Sequence, residues 1–338
     1  MSDRSALSKQ FLQTAGWGHA DRRFLAGDWS DRSYDRLSIH GKTAVLMDAP
    51  PGKGDDPADF VAIATYLTNL GLSAPKILAQ DLTNGFLLLE DLGDQLFATA
   101  IAQDPSLETP LYATATDVLV ALQAAPTAAD LPDLSPQDWA EAAAFVLDWY
   151  RFAITGDRIP HTDFTATLTD ALVTHATGPK VMILRDYHAE NLLWLPKRKG
   201  IARVGLLDFQ LAQMGQPGYD LVSFLQDARR DVPPQIERAM QSRMIAATGA
   251  NAANFLRAYA VLGAQRQLRI IGGAARLCLI KGKTPQLSLI PRVWRHLQHN
   301  LAHPALAPLA TICANLLPDP TPDNLARIAN QCGKPPAL

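Results

Sequence analysis

Short runs of hydrophobic residues, separated by turn residues, dominate roughly the first ninety positions of the chain. The segments SYDRLSIH and TAVLM are joined through the predicted turn His40-Gly41-Lys42, which begins at the last residue of the first segment. This pattern predicts a β-hairpin within residues 22–48. The segments KILAQ and GFLLLE lie on either side of Asn84-Gly85, which predicts a second antiparallel pair. The N-terminal part is therefore expected to form a small antiparallel sheet.

One helix is predicted between the two pairs of strands. Asp56-Pro57 is a typical helix start, and Gly71 a typical helix end. The apolar residues between them recur at helical spacing and are Phe60, Ile63, Ala64, Leu67 and Leu70. We expect this helix, over residues 58–70, to accompany the sheet.

The pattern changes after the segment EDLGD. From about residue 95 to residue 180 the chain is rich in Ala and Leu at helical spacing, and helical spacing resumes after Gly218. Between these regions, residues 181–209 contain apolar runs that are too short for helices. The pattern predicts an α+β fold with an N-terminal lobe over residues 1–92 and a larger, mostly helical lobe over residues 93–338.

Composition narrows the class of protein. Hydrophobic residues make up 48% and charged residues 19%, which predicts a folded chain, and the net charge of -2 gives no reason to bind nucleic acid or an anionic membrane. The three cysteines lie far apart and predict neither a disulfide framework nor a zinc site. The first residues lack the apolar core of a signal peptide. We expect a cytoplasmic protein with no obligate protein partner.

The densest polar cluster of the apolar middle region is the segment LRDYHAENLLW, residues 184–194. It contains Asp186 and, five residues later, Asn191; Asp208 follows Asn191 by seventeen residues, in the segment LLDFQ. Asp and Asn are also common in ordinary turns. However, phosphoryl transfer needs one carboxylate to orient the attacking hydroxyl and oxygen ligands to hold Mg²⁺. The spacing matches a kinase catalytic loop, residues 184–194, followed by a metal loop, residues 206–210.

With these motifs the sequence resembles the aminoglycoside phosphotransferase and choline kinase family, whose fold is protein-kinase-like and two-lobed. Within that family it is most similar to the bacterial cell-wall sugar kinases that phosphorylate N-acetylmuramate and N-acetylglucosamine at the anomeric hydroxyl. The segments that carry the resemblance are SDRSYDRL, VLMDAPPG, APKILAQD, GFLLLEDLGD, LRDYHAENLL, LLDFQLAQMGQPGYDLVSFLQDA and GAQRQLRIIGGAARL.

The resemblance implies roles for individual residues. Asp186 corresponds to the catalytic base, Asn191 and Asp208 to the Mg²⁺ ligands, and the adjacent Arg185 either to a phosphate contact or to a loop anchor. The implied cofactors are ATP or GTP and Mg²⁺. The implied partners are a nucleotide and a small sugar, within a pathway of peptidoglycan recycling.

The nucleotide site departs from the kinase pattern at two positions. A polar hairpin tip with Ser30, Asp31, Arg32 and Ser33 replaces a glycine-rich loop, and the lysine expected on the following strand is absent. The residue that clamps the phosphates is therefore unassigned. The inter-lobe hinge that would bind adenine corresponds to Glu90, Asp91 and Leu92.

The acceptor site is predicted from residue chemistry near the catalytic loop and on a late helix. The proposed contacts are Tyr150, Tyr187, His188, Gln265 and Arg266, with Trp149 and Arg269 beside them. An arginine here would suit the lactyl carboxylate of N-acetylmuramate. Asp220 is expected to cap the helix that follows the metal loop and to stiffen that loop.

Two alternatives remain open from the sequence. A kinase of the same family could act on an aminoglycoside, a choline-like alcohol or a hydroxy amino acid. Alternatively, Leu184 in place of the usual catalytic-loop histidine, together with the absent strand lysine, would suit a nucleotide-binding pseudokinase.

Overall fold

The computed structural model describes residues 4–27, 32–128 and 130–334. The chain divides into two compact units, one comprising Met1–Ala129 with Ala189–Ala212 and the other Asp130–His188 with Gln213–Leu338. The predicted lobe boundary between residues 92 and 93 follows the last strand of the main sheet, Phe86–Glu90, and stays a prediction. No helix in the described part of the chain is long and apolar enough to span a membrane.

The strands, in chain order, are β1 (Asp21–Gly27), β2 (Ser33–Ile39), β3 (Lys42–Asp48), β4 (Ile77–Asp81), β5 (Phe86–Glu90), β6 (Val181–Ile183), β7 (Leu192–Trp194), β8 (Val204–Leu206) and β9 (Gln213–Gly215). The helices are α1 (Arg4–Thr14), α2 (Pro57–Asn69), α3 (Phe97–Gln103), α4 (Glu108–Ala124), α5 (Pro136–Phe145), α6 (Phe152–Thr155), α7 (Thr162–His175), α8 (Tyr219–Leu225), α9 (Pro234–Thr248), α10 (Ala252–Lys281), α11 (Ile290–Leu301), α12 (Ala307–Leu316) and α13 (Pro322–Ala329). A π-helical stretch, Val146–Arg151, joins α5 to α6.

The first unit is built on a five-stranded antiparallel sheet with the order β1-β2-β3-β5-β4. Both predicted hairpins are confirmed. In the β2–β3 turn, His40 and Gly41 have φ values of 49° and 74°. Two consecutive residues in the left-handed region give a turn whose twist matches that of the strands, which is why this short connection suffices.

The predicted helix beside the sheet is also confirmed, as α2. Its N-cap is Asp56, whose side chain accepts a hydrogen bond from the backbone N–H of Ala58 at 2.8 Å. Pro57 occupies the first helical position, where its missing N–H costs nothing. The local sequence therefore determines where this helix begins.

The helix α1, which the sequence pattern did not predict, covers one face of the sheet. The ring of Phe11 stacks on that of Phe86 with centroids 5.7 Å apart. The guanidinium of Arg4 lies over the same Phe86 ring and donates from Nε to Asp48 Oδ1 at 2.8 Å. The other buried members of this core are Leu12, Leu37, Ala44, Leu46 and Leu88. An aromatic stack and an arginine thus fix an otherwise polar helix to the sheet.

A second, smaller hairpin in the first unit brings two distant segments together. Strand β7 pairs antiparallel with β8, with Leu192 opposite Leu206. The residue before β7 and the residues after β8 consequently lie at the same end of this hairpin. Asn191 and Asp208 flank that end.

The second unit is organised around α10, a helix of 30 residues. It packs against α5, α7, α8 and α11. In the same unit β6 pairs antiparallel with β9, with Ile183 opposite Gln213. The segment that begins at Leu184 therefore leaves the end of a short buried strand, as the apolar run VMIL predicts.

Candidate active site

The carboxylate of Asp208 is the centre of a polar cluster in the first unit. The backbone N–H of Leu207 donates to the carbonyl of Asn191 at 3.0 Å, which extends the β7–β8 pairing by one step. As a result, Asn191 Nδ2 lies 3.5 Å from Asp208 Oδ2. Asp208 itself has a φ of 55°, an uncommon conformation for a residue other than glycine. The two residues predicted as metal ligands therefore lie side by side.

Arg32 belongs to the same cluster. Its side chain is almost fully buried, and Nη2 lies 3.5 Å from Asp208 Oδ1 and 3.6 Å from Asp55 Oδ2. Gln210 Nε2 donates to Asp208 Oδ1 at 2.9 Å. Asp55 and Gln210 were not among the predicted site residues. Gln210 could have been found, because it is the Gln of the Asp-Phe-Gln segment; for Asp55, in a loop rich in Asp, Gly and Pro, the sequence carries no such signal.

This cluster fits a magnesium site. Mg²⁺ prefers oxygen ligands and is generally bound through one or two protein oxygens, with phosphate oxygens and water completing the coordination. The Asp208 carboxylate remains 38% exposed although an arginine and two amides surround it, so it can accept a cation. Asn191 supplies an amide oxygen once its side-chain amide turns over, since the nitrogen now faces Asp208.

The segment before Asp186, in the second unit, is held by a buried carboxylate. Asp220 is 1% exposed and accepts hydrogen bonds from the backbone N–H of Leu184 at 2.7 Å and of Arg185 at 2.9 Å. The hydroxyl of Ser223 donates to the carbonyl of Arg185 at 3.1 Å. These three bonds fix Arg185 at a φ of 70°, which few residues other than glycine adopt.

The prediction that Asp220 caps its own helix is wrong. The N-cap of α8 is Gly218, with no side-chain capping bond, and the Asp220 carboxylate instead accepts from the backbone of Leu184 and Arg185. This contact explains how the loop keeps its shape with Leu184 at the position where the family usually has a histidine. Leu184 is buried, and its backbone, not its side chain, receives the polar anchor.

Burial raises the pKa of Asp220 to about 7, and the negative charge of Asp186 acts in the same direction. The two backbone donors and Arg266 oppose this change and favour the ionised carboxylate. The carboxyl groups of Asp220 and Asp186 thus differ in their exposure to solvent. Asp220 is buried against the backbone, whereas Asp186 is partly exposed.

Four of the predicted acceptor contacts occupy buried positions with contacts of their own. Tyr150 donates from its hydroxyl to the carbonyl of Pro318 at 2.7 Å, and Tyr187 packs edge-on against Phe224. Gln265 donates from Nε2 to the carbonyl of Trp139 at 2.9 Å. Burial, aided by Arg229 and Arg266, holds the pKa of His188 well below its ordinary value, so this imidazole is neutral. Their proposed acceptor contacts stay predictions.

Arg266 is the fifth of these residues and differs from the other four. It lies in the middle of α10 and is 2% exposed. Within the described part of the chain, its Nε and Nη1 have no hydrogen-bond partner. A charged group with unused donors in a buried position is rare in folded proteins.

The predicted hinge and hairpin tip lie in the first unit. Glu90 pairs with Arg198 at 2.7 Å, and its backbone N–H donates to the carbonyl of Lys76 at 2.8 Å. Asp91 pairs with Arg36 at 2.8 Å, while Leu92 is partly exposed. Ser33 is the first residue of β2; Ser30 and Asp31 lie outside the described residues. The side chains of Glu90 and Asp91 and the backbone N–H of Glu90 are thus engaged, and the proposed adenine contacts of this segment stay predictions.

Comparison with known proteins identifies the family. A model of the phosphotransferase enzyme family matches residues 21–264, most of the chain. The protein belongs to the phosphotransferase enzyme family. Its fold is protein-kinase-like, and it is an enzyme of the class that transfers a phosphoryl group to a hydroxyl.

Two relatives within this family are similar along nearly their whole length. The N-acetylmuramate/N-acetylglucosamine kinase of Caulobacter vibrioides is 38% identical over 91% of this chain and 95% of its own. The enzyme of the same name from Pseudomonas aeruginosa is 34% identical over 92% of this chain and 94% of its own. A choline/ethanolamine kinase family protein of Mesorhizobium loti has a similar fold, with a TM-score of 0.61 at 15% identity, covering 97% of this chain and 100% of its own.

Proposed function

We propose that the protein is an amino-sugar kinase that transfers a phosphoryl group from ATP or GTP to the anomeric hydroxyl of N-acetylmuramate and N-acetylglucosamine. The observation that carries the proposal is the similarity to relatives of that name over more than nine-tenths of the chain. The catalytic and metal loops at the required spacing support it. The product would be a sugar 1-phosphate, suited to reuse of peptidoglycan sugars.

Asp186 is the proposed catalytic base. Its carboxylate would orient the acceptor hydroxyl and accept its proton as the oxygen attacks phosphorus. The bonds from Asp220 to the two preceding backbone N–H groups support this role, because they fix the loop before any substrate binds. Preorganisation of this kind reduces the entropy lost on reaching the transition state.

Asn191, Asp208 and Arg32 are the proposed nucleotide side of the site. Bound Mg²⁺ would neutralise charge on the phosphates and polarise the group being transferred. Arg32 is a fixed, buried guanidinium beside the Asp208 carboxylate. Its planar fork suits phosphate oxygens, and we therefore assign to Arg32 the clamping role that a strand lysine has in related kinases.

Polycationic acceptors fit this site less well. Arg266 and Arg269 both lie in the electrostatic field of Asp186, so their positive charge partly offsets that of the base. An aminoglycoside would bring further positive charge to the same place, and like charges repel strongly in a buried environment. The acidic or neutral amino sugars meet no such repulsion.

The proposal is tested by measuring nucleoside-diphosphate release across a panel of acceptors. The panel contains N-acetylmuramate, N-acetylglucosamine, an aminoglycoside, choline and homoserine, each with ATP and with GTP. We expect turnover with the two acetylated sugars. Turnover confined to the other acceptors would reassign the substrate. No turnover with any acceptor, together with no binding of nucleotide, would contradict the kinase assignment.

A further inference from the structure

Arg266 has a buried guanidinium with two unpaired nitrogen donors in the second unit. Nε and Nη1 of its guanidinium have no hydrogen-bond partner among the described residues, and the side chain is 2% exposed. Removing an arginine from water is costly unless carboxylates or carbonyls replace the lost hydrogen bonds. Such an arrangement is expected where an anion from outside the protein completes the site.

Two carboxylates, Asp186 and Asp227, act electrostatically on Arg266, but neither accepts a hydrogen bond from its Nε or Nη1. Burial, the largest effect, lowers the pKa of Arg266; Tyr219 raises it, Arg269 lowers it, and Asp186 and Asp227 raise it. The effect of burial therefore exceeds that of the nearby carboxylates. Arginine nevertheless stays charged in proteins, so the guanidinium retains an unmet preference for a direct anionic partner.

Arg269 lies one helical turn further along α10 and provides a second positive charge. Its Nη2 donates to the hydroxyl of Tyr219 at 3.2 Å, while its Nε has no partner among the described residues. Residues three apart share a face of a helix. Arg266 and Arg269 therefore form a cationic pair on one face, and the charge of Asp186 acts on both.

We propose that Arg266, assisted by Arg269, binds the lactyl carboxylate of N-acetylmuramate and sets the preference of the enzyme for this acidic sugar over N-acetylglucosamine. The inference rests on the proposed function. The acceptor hydroxyl lies at Asp186 during the reaction, and the two arginines lie within the electrostatic reach of that carboxylate. The lactyl group is the part in which the two sugars differ, and it carries the only carboxylate of either.

The test compares Arg266→Met and Arg266→Lys with Arg276→Met. Arg276 is on the same helix but exposed, next to Trp149, and serves as the matched control. The measured quantity is kcat/KM for N-acetylmuramate divided by kcat/KM for N-acetylglucosamine. We expect this ratio to fall at least about tenfold in Arg266→Met, or about 1.4 kcal/mol, because a charge-assisted pair is lost. Arg266→Lys should give an intermediate ratio, and Arg276→Met the wild-type ratio.

Thermal unfolding provides a second readout, because a variant that loses a structurally important arginine would unfold at a lower temperature than the wild type. Replacing an unpaired buried charge by an apolar side chain of similar length is neutral or stabilising. We therefore expect the ligand-free Arg266→Met protein to unfold at the wild-type temperature or above. The rise in Tm that N-acetylmuramate causes in the wild type should shrink in this variant.

The outcomes separate the inference from the proposed function. If the wild type phosphorylates both sugars and Arg266→Met keeps the wild-type ratio, the inference is overturned and the function stands. A ligand-free Tm well below the wild type would also overturn it, because Arg266 would then stabilise the fold. If the wild type neither phosphorylates nor binds either sugar, both the function and the inference fail.

Discussion

Asp220 fixes the conformation of the segment before Asp186, the proposed catalytic base, through two backbone hydrogen bonds. Its carboxylate accepts from consecutive N–H groups, and both bonds require the side chain of a residue that lies thirty-five and thirty-six positions further along the chain. A sequence shows only an Asp near a helix start, for which capping is the usual role. The prediction therefore failed at the step where a tertiary contact overrides a local preference.

The raised pKa of Asp220 has a consequence for stability. Since its pKa is about 7 in the folded protein and lower in the unfolded chain, its contribution is fully present below pH ~4. That contribution is lost as the pH rises through about 7. In Asp220→Asn the group no longer titrates. We therefore expect the free energy of unfolding, measured in urea from pH 5 to pH 8, to fall more steeply in the wild type.

The two proteins are compared by the slope of the free energy of unfolding against pH. The absolute values are not compared, because Asp220→Asn also loses one acceptor and is expected to be less stable at every pH. Parallel pH dependences of the two proteins would contradict the raised pKa. The kcat of Asp220→Asn should decrease more than its KM changes, as expected of a residue that holds the segment before the proposed base, Asp186.

At the scale of elements, the sequence predicted the hairpin and the helix whose ends are determined by local turn and capping residues. The hairpin at Gly41 and the helix after Asp56 have their turn and capping residues in place, and both form as expected. Helix α1 has only Ser8, Phe11 and Leu12 buried, so its apolar face is too short to stand out in the sequence. Its place on the sheet depends instead on the stack with Phe86 and on the bonds of Arg4.

Helix α10 crosses the end of α5 at a glycine. A Cβ added to Gly272 would lie 2.4 Å from the carbonyl carbon of Phe145 and 2.5 Å from the backbone nitrogen of Val146. A backbone cannot yield as a side chain does, so the two segments would have to separate. The glycine thus allows the central helix of the second unit to approach its neighbour closely.

Gly272→Ala is therefore expected to destabilise the protein by about 1–3 kcal/mol, the usual cost of overpacking. Gly273→Ala is the matched control, because an added Cβ there meets nothing within 4 Å. Alanine is the better helix former, and the control should stabilise by about 0.5–1 kcal/mol. Denaturant unfolding of both variants checks this, and equal effects of the two substitutions would refute the close crossing.

At the scale of the whole molecule, the sequence predicts two lobes with a boundary between residues 92 and 93, and this boundary stays a prediction. Residues 189–212, which carry Asn191 and Asp208, belong to the first compact unit. The backbone N–H of Trp194 donates to the carbonyl of Gln95 at 2.7 Å, and that of Leu206 to the carbonyl of Ser73 at 2.9 Å. Contacts of this kind are not visible in short apolar runs. The motif spacing predicts both loops from the chemistry of their residues and not from the course of the chain.

The net charge of -2 means that binding of a polyanionic nucleotide must depend on local positive charge. We expect ATP with Mg²⁺ to raise the Tm of the whole protein, since a ligand at about 100-fold its Kd stabilises the native state by ~2.7 kcal/mol. Differential scanning fluorimetry measures the shift. Chelation of Mg²⁺ by EDTA should reduce it in the wild type and have little effect in Asp208→Asn. An equal effect of EDTA on both proteins would exclude Asp208 as a metal ligand.

Asp186 is the proposed acceptor of the proton of an anomeric sugar hydroxyl during phosphoryl transfer. The most direct measurement is the kcat of the wild type and of Asp186→Asn with N-acetylmuramate, with the product examined by ³¹P NMR. We predict a 1-phosphate from the wild type and a loss of about a hundredfold to ten-thousandfold in kcat in the variant, with nucleotide binding retained. Wild-type turnover by Asp186→Asn, or a phosphate at another position of the sugar, would exclude this role.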